Sequence, residues 1–166
     1  MRCFVLVILG IDPGFAIVGY GLVEYKNNSF KPIDYGVIRT DAKELFSDRL
    51  KKIDVQLKKI IDMYKPDCCS IEDLFFNTNA KTVIAAAQGR GVCVLCASAK
   101  DLPVYEYTPL QVKQAVVGYG RAAKGQVQQM VKIILNLNEI PKPDDAADAL
   151  AVAICHAHSL LTAKRI

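Results

Sequence analysis

The chain has 166 residues, of which 52% are hydrophobic and 23% charged, and its formal net charge is +4. This length suits a single domain over residues 1–166, and this composition excludes an intrinsically disordered chain. The apolar run within residues 1–11 is too short to span a bilayer and lacks the small-residue cleavage site of a signal peptide, so we expect a buried strand there and a cytoplasmic protein.

Strand patterns fill the first quarter of the chain. Residues 4–11 form a continuous apolar run rich in β-branched side chains, which is typical of a strand covered on both faces. Asp12-Pro13-Gly14 turns the chain into a second strand over 17–25, and a third strand follows over 32–39. We therefore predict a β-meander, with the first strand central in the sheet.

Residues 41–64 change to a helical period. Asp41 followed by Glu44 resembles a capping box at the helix start. The apolar side chains form one stripe, and the lysines lie mostly outside it, which predicts an amphipathic helix. The stripe consists of Leu45, Leu50, Ile53, Leu57, Ile60, Ile61 and Tyr64.

A short buried strand over 67–72 and a second helix from residue 82 to about 98 come next. Asn79 is placed to cap this helix. The helix is rich in alanine and contains Gly89 and Gly91, which allow another backbone to approach closely, as at a packed interface.

The remainder of the chain reads as one strand and three helices. The strand covers 104–107, and Thr108-Pro109 supplies a cap and a first helical residue for a short helix that includes 112–117. A loop over 118–125, a helix over 127–137 and a last helix over about 145–161 follow, the last one rich in alanine and suited to lie close against a sheet. The order β-β-β-α-β-α-β-α-α-α predicts an α/β fold with a mixed sheet covered by helices.

Four carboxylates occupy positions that suit a metal site. Asp12 ends the first strand, Glu72 ends the strand over 67–72, and Asp145 and Asp148 project from one face near a helix start. Each has an ordinary explanation, as a turn residue, an exposed strand end or helix-capping residues. Together they indicate more, because two strand ends and a helix start can converge at one sheet edge. Four carboxylates suit a two-metal Mg²⁺ site that hydrolyses a phosphodiester.

The charge balance agrees with a polyanionic partner. The chain has 21 Lys and Arg against 17 Asp and Glu. If the four carboxylates are neutralised at a metal site, 21 basic residues face 13 acidic ones, a balance of +8.

Five short motifs follow one another along nearly the whole chain. They are Ile11-Asp12-Pro13-Gly14 with Gly19-Tyr20-Gly21, Ile71-Glu72-Asp73-Leu74-Phe75, Gln88-Gly89-Arg90-Gly91-Val92, Val112-Lys113-Gln114 with Val117-Gly118, and Asp145-Ala146-Ala147-Asp148-Ala149-Leu150-Ala151. In this order and at these spacings they resemble the RuvC family of crossover junction endodeoxyribonucleases. The resemblance implies an RNase H-like fold with a five-stranded mixed sheet flanked by helices, and paired nicks in opposing strands of a Holliday junction. It also implies a homodimer, a RuvA–RuvB branch-migration partner, and two Mg²⁺ per active site, for which Mn²⁺ substitutes.

By position, the resemblance makes Asp12, Glu72, Asp145 and Asp148 the catalytic, metal-binding carboxylates. Some family members carry a His at the position of Asp145, where this chain keeps an acidic ligand. The additional Asp144 is interpreted as a helix cap.

DNA contacts are also carried over by position. Phe75 matches an aromatic residue that lies near the opened junction, where stacking on a base contributes about 1 to 3 kcal/mol; its alternative role is core packing. Lys113 and Lys124 match basic positions that face the DNA backbone, although isolated lysines are ordinarily solvated surface residues. Arg121 and Tyr119 join this set by sequence proximity alone.

Two further features have structural interpretations. Cys93 and Cys96 have metal-site spacing, but no second pair accompanies them and their surroundings are apolar, so we interpret them as core residues. The other cysteines also lie in apolar stretches, which argues against a disulfide framework. His156 and His158 are interpreted as structural.

Three other functions compete with the nuclease. Asp12-Pro13-Gly14 resembles the phosphate loop of actin-like and sugar-kinase ATPases, but 166 residues leave no room for their second domain. A junction-binding module without catalysis would not need the four carboxylates. A smaller resolvase-like nuclease family shares the Asp-Pro-Gly start, although the segment with Lys113 and Lys124 favours RuvC, and substrate choice separates these two families best.

Overall fold

Five strands form one mixed sheet in the structure, a computed structural model that describes residues 5–74, 80–160 and 162–166, with the backbone alone at 80 and 81. The strands are β1 (Val5–Asp12), β2 (Ile17–Lys26), β3 (Ser29–Arg39), β4 (Cys68–Glu72) and β5 (Val104–Tyr107), in the spatial order β3-β2-β1-β4-β5. β1, β2 and β3 form the predicted antiparallel meander, while β4 is parallel to β1 and β5 is parallel to β4. β1 is central, as its apolar sequence predicted.

Helices cover both faces of this sheet. They are α1 (Phe46–Tyr64), α2 (Ala80–Ser98), α3 (Pro109–Val117), α4 (Lys124–Ile134) and α5 (Asp144–His158). Leu9 and Ile11 of β1 pack with α1 and α2, whereas Ile8 packs with α3, α4 and α5. The predicted α/β fold and element order are therefore confirmed, in the arrangement of an RNase H-like sheet. No helix of the described residues is long and apolar enough to cross a membrane.

The predicted start of α1 is wrong. The Glu44 carboxylate does accept a hydrogen bond of 2.8 Å from the Asp41 backbone N–H, but this contact closes a turn that precedes the helix. The helix begins at Phe46, and Leu45 is the N-cap residue, with 71% of its surface exposed. Ile53 and the rest of the apolar stripe toward the C-terminus contribute the buried face of the helix.

The predicted loop over 118–125 is shorter than expected. α3 begins after the expected cap, since the Thr108 hydroxyl accepts a hydrogen bond from the Gln111 N–H and the Gln111 side chain accepts one from the Thr108 N–H. α4 begins at Lys124, so Lys124 and Gly125 belong to its first turn. The side chain of Lys124 is thereby attached to a helix and not to a loop.

α5 lies against the sheet through small residues, as its alanine content predicted. Ala146, Ala149 and Ala153 are buried. Gly19, the β2 partner of Asp12, is required for this packing, because a Cβ there would stand 2.0 Å from the Asp145 carbonyl oxygen. The start of α5 is thus held beside the end of β1.

Candidate metal and nucleic-acid site

Four carboxylates are brought to the sheet edge where β1 and β4 end. Asp12 is the last residue of β1 and Glu72 the last residue of β4. These strands are parallel neighbours, with Ile11 paired to Ile71, so their carboxyl ends reach the same edge. Asp145 and Asp148 lie near the start of α5, beside the end of β1. The structure therefore brings together all four residues that the sequence singled out.

The carboxylates raise one another's proton affinity. Burial raises the pKa of Asp12 well above its ordinary value, and the negative charges of Glu72, Asp148 and Asp145 add to the rise. Burial, followed by the charge of Asp148, raises the pKa of Glu72 to about 7. Burial also raises the pKa of Asp148, although a hydrogen bond from Lys124 opposes the rise. The cluster carries more negative charge than its surroundings compensate, which favours binding of a proton or a cation.

Lys124 supplies positive charge directly to this cluster. Its Nζ lies 2.8 Å from an oxygen of Asp148 and 3.8 Å from one of Asp144. Burial opposes protonation of Lys124, but the hydrogen bond and charge of Asp148 and the charges of Asp144 and Asp12 raise its pKa overall. Lys124 is therefore a cation placed among the carboxylates, with 56% of its side chain exposed to an approaching ligand.

Two concavities flank the carboxylates. The first, of about 220 Å³, has Glu72, Asp148, Lys113 and Lys124 on its walls. Its apolar lining consists of Pro109, Val112, Val127 and Ala151. The second, of about 520 Å³, contains Asp145 and lies along the turn that follows Asp12. Its other lining residues are Gly14, Phe15, Ala16, Ile17, Thr82, Ala85 and Ala86.

The site suits a hard divalent cation. Among the described residues, no three Asp, Glu, His or Cys side chains are yet arranged to hold a metal ion. The donors available are carboxylate oxygens, which Mg²⁺ and Mn²⁺ prefer and which do not favour zinc. Burial is the largest cause of the raised pKa of Asp12, and the neighbouring negative charges that add to it are what a divalent cation would neutralise. Donor chemistry and electrostatics therefore fit a hard divalent cation.

Other predicted site residues have different outcomes. Phe75 lies outside the described residues, as do Asn79 and Cys3. Tyr119 and Arg121 are exposed on the segment between α3 and α4, and neither lines the cavity around Glu72. Both stay predictions.

The interpretation of Asp144 as a helix cap is wrong. α5 begins at Asp144 itself and its N-cap residue is Pro143, and among the described residues no side chain makes a capping hydrogen bond to this helix. The Asp144 carboxylate instead pairs with Lys142 at 3.2 Å and lies near Lys124. It therefore adds negative charge beside the site from a more exposed position.

The contacts of Arg90 were not predicted from the sequence. Its Nε donates a hydrogen bond of 3.3 Å to the backbone carbonyl of Glu72, and its guanidinium pairs with the carboxylate of Glu106. A signal was available, because Arg90 is the one charged residue within 82–98 and Glu106 the one charged residue of the strand over 104–107.

The cysteines and His156 have the structural character predicted. Cys93 and Cys96 are free and fully buried. His156 is also buried, with Nδ1 2.7 Å from the Tyr107 hydroxyl, and burial lowers its pKa to about 4. His158 contacts the Ala115 carbonyl, 3.0 Å from its Nδ1.

Comparison with known proteins agrees with the motifs and the fold. The family described as "Crossover junction endodeoxyribonuclease RuvC" matches residues 8–156. The protein of that description from Alkaliphilus metalliredigens is 61% identical to this chain over 154 residues, which cover 93% of this chain and 94% of the relative. In Caldanaerobacter subterraneus the identity is 62% over 152 residues, covering 92% of each chain.

Solved structures give the same result. Thermus thermophilus RuvC in complex with a Holliday junction substrate superposes with a TM-score of 0.92 at 34% identity, over 97% of this chain and 99% of that one. The yeast mitochondrial Holliday junction resolvase Ydc2 shares the fold, with a TM-score of 0.65 at 16% identity, over 91% of this chain and 78% of that one. The chain belongs to the RuvC family of crossover junction endodeoxyribonucleases.

Proposed function

We propose that this protein resolves Holliday junctions during recombination and repair, by metal-dependent hydrolytic nicks placed in pairs in opposing DNA strands. The observation that carries the proposal is the cluster of Asp12, Glu72, Asp145 and Asp148 at one sheet edge, with two concavities beside it. The high similarity to Thermus thermophilus RuvC, which binds such a junction, supports the choice of substrate. Residues 1–166 would act as one nuclease domain.

The four carboxylates are proposed to hold two Mg²⁺ ions, and Mn²⁺ should substitute because it accepts the same oxygen ligands. Bound metal ions would activate a water molecule and stabilise the leaving 3′ oxygen. The chain's own contribution is to present these oxygens from rigid strand ends and from a helix start. We propose no covalent intermediate and no cofactor besides the metal ions.

Lys113 and Lys124 are proposed to contact the DNA backbone near the cut. Both line the cavity that also contains Glu72 and Asp148, so a phosphate bound there would lie between lysines and carboxylates. Phe75 follows Glu72 by three residues and is proposed to stack on an unpaired base. Arg121 and Tyr119 are exposed beside α4 and are proposed as outer phosphate contacts.

A homodimer is proposed, since paired nicks in opposing strands require two active sites. The outer side of α2 supports it: Ile84, Gln88, Gly91 and Leu95 follow each other at helical spacing and are all exposed, Ile84 to 59% and Leu95 to 68%. A RuvA–RuvB branch-migration complex remains a proposed partner from the family. A cytoplasmic location is proposed because bacterial relatives would meet their DNA substrate there.

In the first experiment, the protein is incubated separately with a mobile four-way junction and with a linear duplex of matched sequence. Each incubation contains Mg²⁺, Mn²⁺ or EDTA. Nicks are mapped on all four strands. We expect symmetric nicks in two opposing strands of the junction with either metal, and none in EDTA. Binding without cleavage would return the protein to the binding-module class, and equal cleavage of the linear duplex would make it a general nuclease.

A further inference from the structure

Two adjacent residues of α2 contact the two segments that carry Asp12 and Glu72. At Gly89 a Cβ would stand 2.4 Å from the carbonyl oxygen of Gly14, in the turn directly after Asp12. At Arg90 the Nε donates a hydrogen bond of 3.3 Å to the backbone carbonyl of Glu72. One turn of α2 therefore adjoins both strand ends.

The Arg90 guanidinium also reaches a third element. It pairs with the carboxylate of Glu106 on β5. Glu106 is the β5 residue paired with Ile71, which precedes Glu72 in β4. The side chains of Arg90 and Glu106 are only 17% and 22% exposed. A guanidinium presents several donors in a rigid plane and can serve the Glu72 carbonyl and the Glu106 carboxylate at once. A lysine ammonium at the end of a flexible chain cannot reproduce this geometry.

Arg90 and Glu106 do not form part of the described walls of either concavity beside the carboxylates. The direct contact between Arg90 and the carboxylate-bearing segments is its hydrogen bond to the backbone carbonyl of Glu72. The guanidinium constrains the last residue of β4 relative to α2 and β5, and hence the position from which the Glu72 carboxylate is presented.

From this geometry we infer that Arg90 is a positioning residue, which holds Glu72 in place for metal binding and strand cleavage through its joint contacts with the Glu72 carbonyl and Glu106. The inference rests on the proposed function, because it takes Glu72 as a metal-binding residue. It adds a group to the site that touches neither metal nor DNA.

The test compares Arg90→Met and Arg90→Lys with wild type in three measurements. The first is Mn²⁺ binding to the DNA-free protein, monitored by electron paramagnetic resonance. The second is junction affinity in EDTA, and the third is the single-turnover cleavage rate with its Mg²⁺ dependence. Lys100→Met is the matched control, since Lys100 forms an ion pair of 2.5 Å with Asp62 between the end of α2 and α1, away from Glu72. Thermal melting checks the fold of each variant.

We expect Arg90→Met to weaken Mn²⁺ binding roughly tenfold or more, as loss of a group that orients a ligand commonly does. Cleavage should slow about tenfold to a hundredfold, because small displacements of reacting groups are costly. Junction affinity should stay unchanged. Arg90→Lys should keep most of the thermal stability through Glu106 but not the Mn²⁺ affinity, and Lys100→Met should match wild type in Mn²⁺ binding and cleavage.

Full Mn²⁺ affinity in Arg90→Lys, or in a folded Arg90→Met, would overturn the inference and reduce the ion pair to a stabilising contact. A wild-type protein that binds Mn²⁺ but does not nick the junction would instead overturn the proposed function. The Mn²⁺ comparison between wild type and the variants would still test Arg90 in that case.

Discussion

Asp12 occupies a position that disfavours its ionised carboxylate as long as no cation is bound. It lies at the end of a buried strand, with the negative charges of Glu72, Asp148 and Asp145 nearby, and its pKa is raised well above the ordinary range. In the absence of a cation each of these charges opposes the others. The same arrangement would give a divalent metal ion a strong electrostatic gain on binding.

Asp12→Asn tests this role. The amide keeps the shape but removes one proposed ligand charge, so junction cleavage should fall at least about a hundredfold, equivalent to about 2.7 kcal/mol of transition-state stabilisation. Junction binding in EDTA should persist or tighten, because one negative charge facing the phosphates is lost. Cleavage and binding are measured on the same labelled junction. A variant that cleaves normally, or that is folded but no longer binds, would contradict the assignment.

Lys124→Ala tests the proposed phosphate contact. Removal of one DNA-contacting cation should weaken junction binding and lower the slope of log affinity against log salt by about one. The measurement is a series of binding isotherms at increasing salt. Lys58→Ala is the control, because Lys58 carries the same charge and pairs with Asp54 on α1, away from the carboxylate cluster. An unchanged slope in Lys124→Ala would remove Lys124 from the DNA interface.

His156 should make the fold sensitive to acid. Burial lowers its pKa from 6.5 to about 4, so the unfolded chain takes up a proton at a higher pH than the native protein does. The stability contributed by neutral His156 is complete above pH 6.5 and is lost as the pH falls toward 4. Between pH 7.5 and 5 this loss amounts to about 2 kcal/mol.

The test compares urea unfolding of wild type and His156→Gln at both pH values, without metal. Other groups titrate in both proteins, so the informative quantity is the difference between them. The stability advantage of wild type over the variant should shrink by about 2 kcal/mol at the lower pH. An identical pH dependence of the two proteins would show that the pKa of His156 does not differ between the folded and the unfolded chain.

At the scale of elements, the parallel pairing of β1 and β4 brings their ends to one edge, and two helices pack closely beside that edge. α5 packs on the sheet through buried alanines and comes close to β2 at Gly19. α2 comes close to the turn after Asp12 at Gly89. The predicted close approach of a second backbone is confirmed at Gly89. At Gly91 no described atom of the chain lies within 4 Å of an added Cβ, so a close approach there stays a prediction for the proposed interface between two copies.

Gly89→Ala and Gly91→Ala form a matched pair. Replacement of glycine by alanine inside a helix favours the helix by roughly 1 kcal/mol when nothing opposes it. We expect that gain at Gly91, whereas at Gly89 the new methyl group should displace the Gly14 carbonyl and reduce both stability and cleavage. Thermal melting and cleavage rates measure the two effects, and sedimentation checks whether Gly91→Ala alters association. Equal gains at both positions would disprove the close contact.

At the scale of the whole molecule, the outer face of α2 should join two copies of the chain. Leu95→Glu places a charge in the exposed stripe and should shift the protein to monomers, as measured by analytical ultracentrifugation. The two opposing strands of one junction should then no longer be nicked together, whereas Mn²⁺ binding per chain should be retained. Met63→Glu, on the exposed side of α1, is the control and should leave association unchanged. A dimeric Leu95→Glu protein would move the interface elsewhere.

Much of this protein followed from local pattern. The element order, the central position of β1, the capped start of α3 and the four carboxylates were all predictable, because periodicity, turn residues and strand-end charges are local properties of a chain. The errors at Asp41, Lys124 and Asp144 concern helix starts, where several neighbouring residues are able to cap and tertiary packing selects one.

The sequence by itself singled out the four carboxylates as candidate metal ligands and, through five ordered motifs, predicted the family. Only the tertiary structure decided how those residues are supported. Lys124 forms an ion pair with Asp148, and the start of α5 packs closely against Gly19. Arg90 contacts both the Glu72 carbonyl and the Glu106 carboxylate. The physical reason is that these contacts connect residues distant in sequence. Their strength depends on burial and on distances of a few ångströms, which exist only once the sheet and helices have packed.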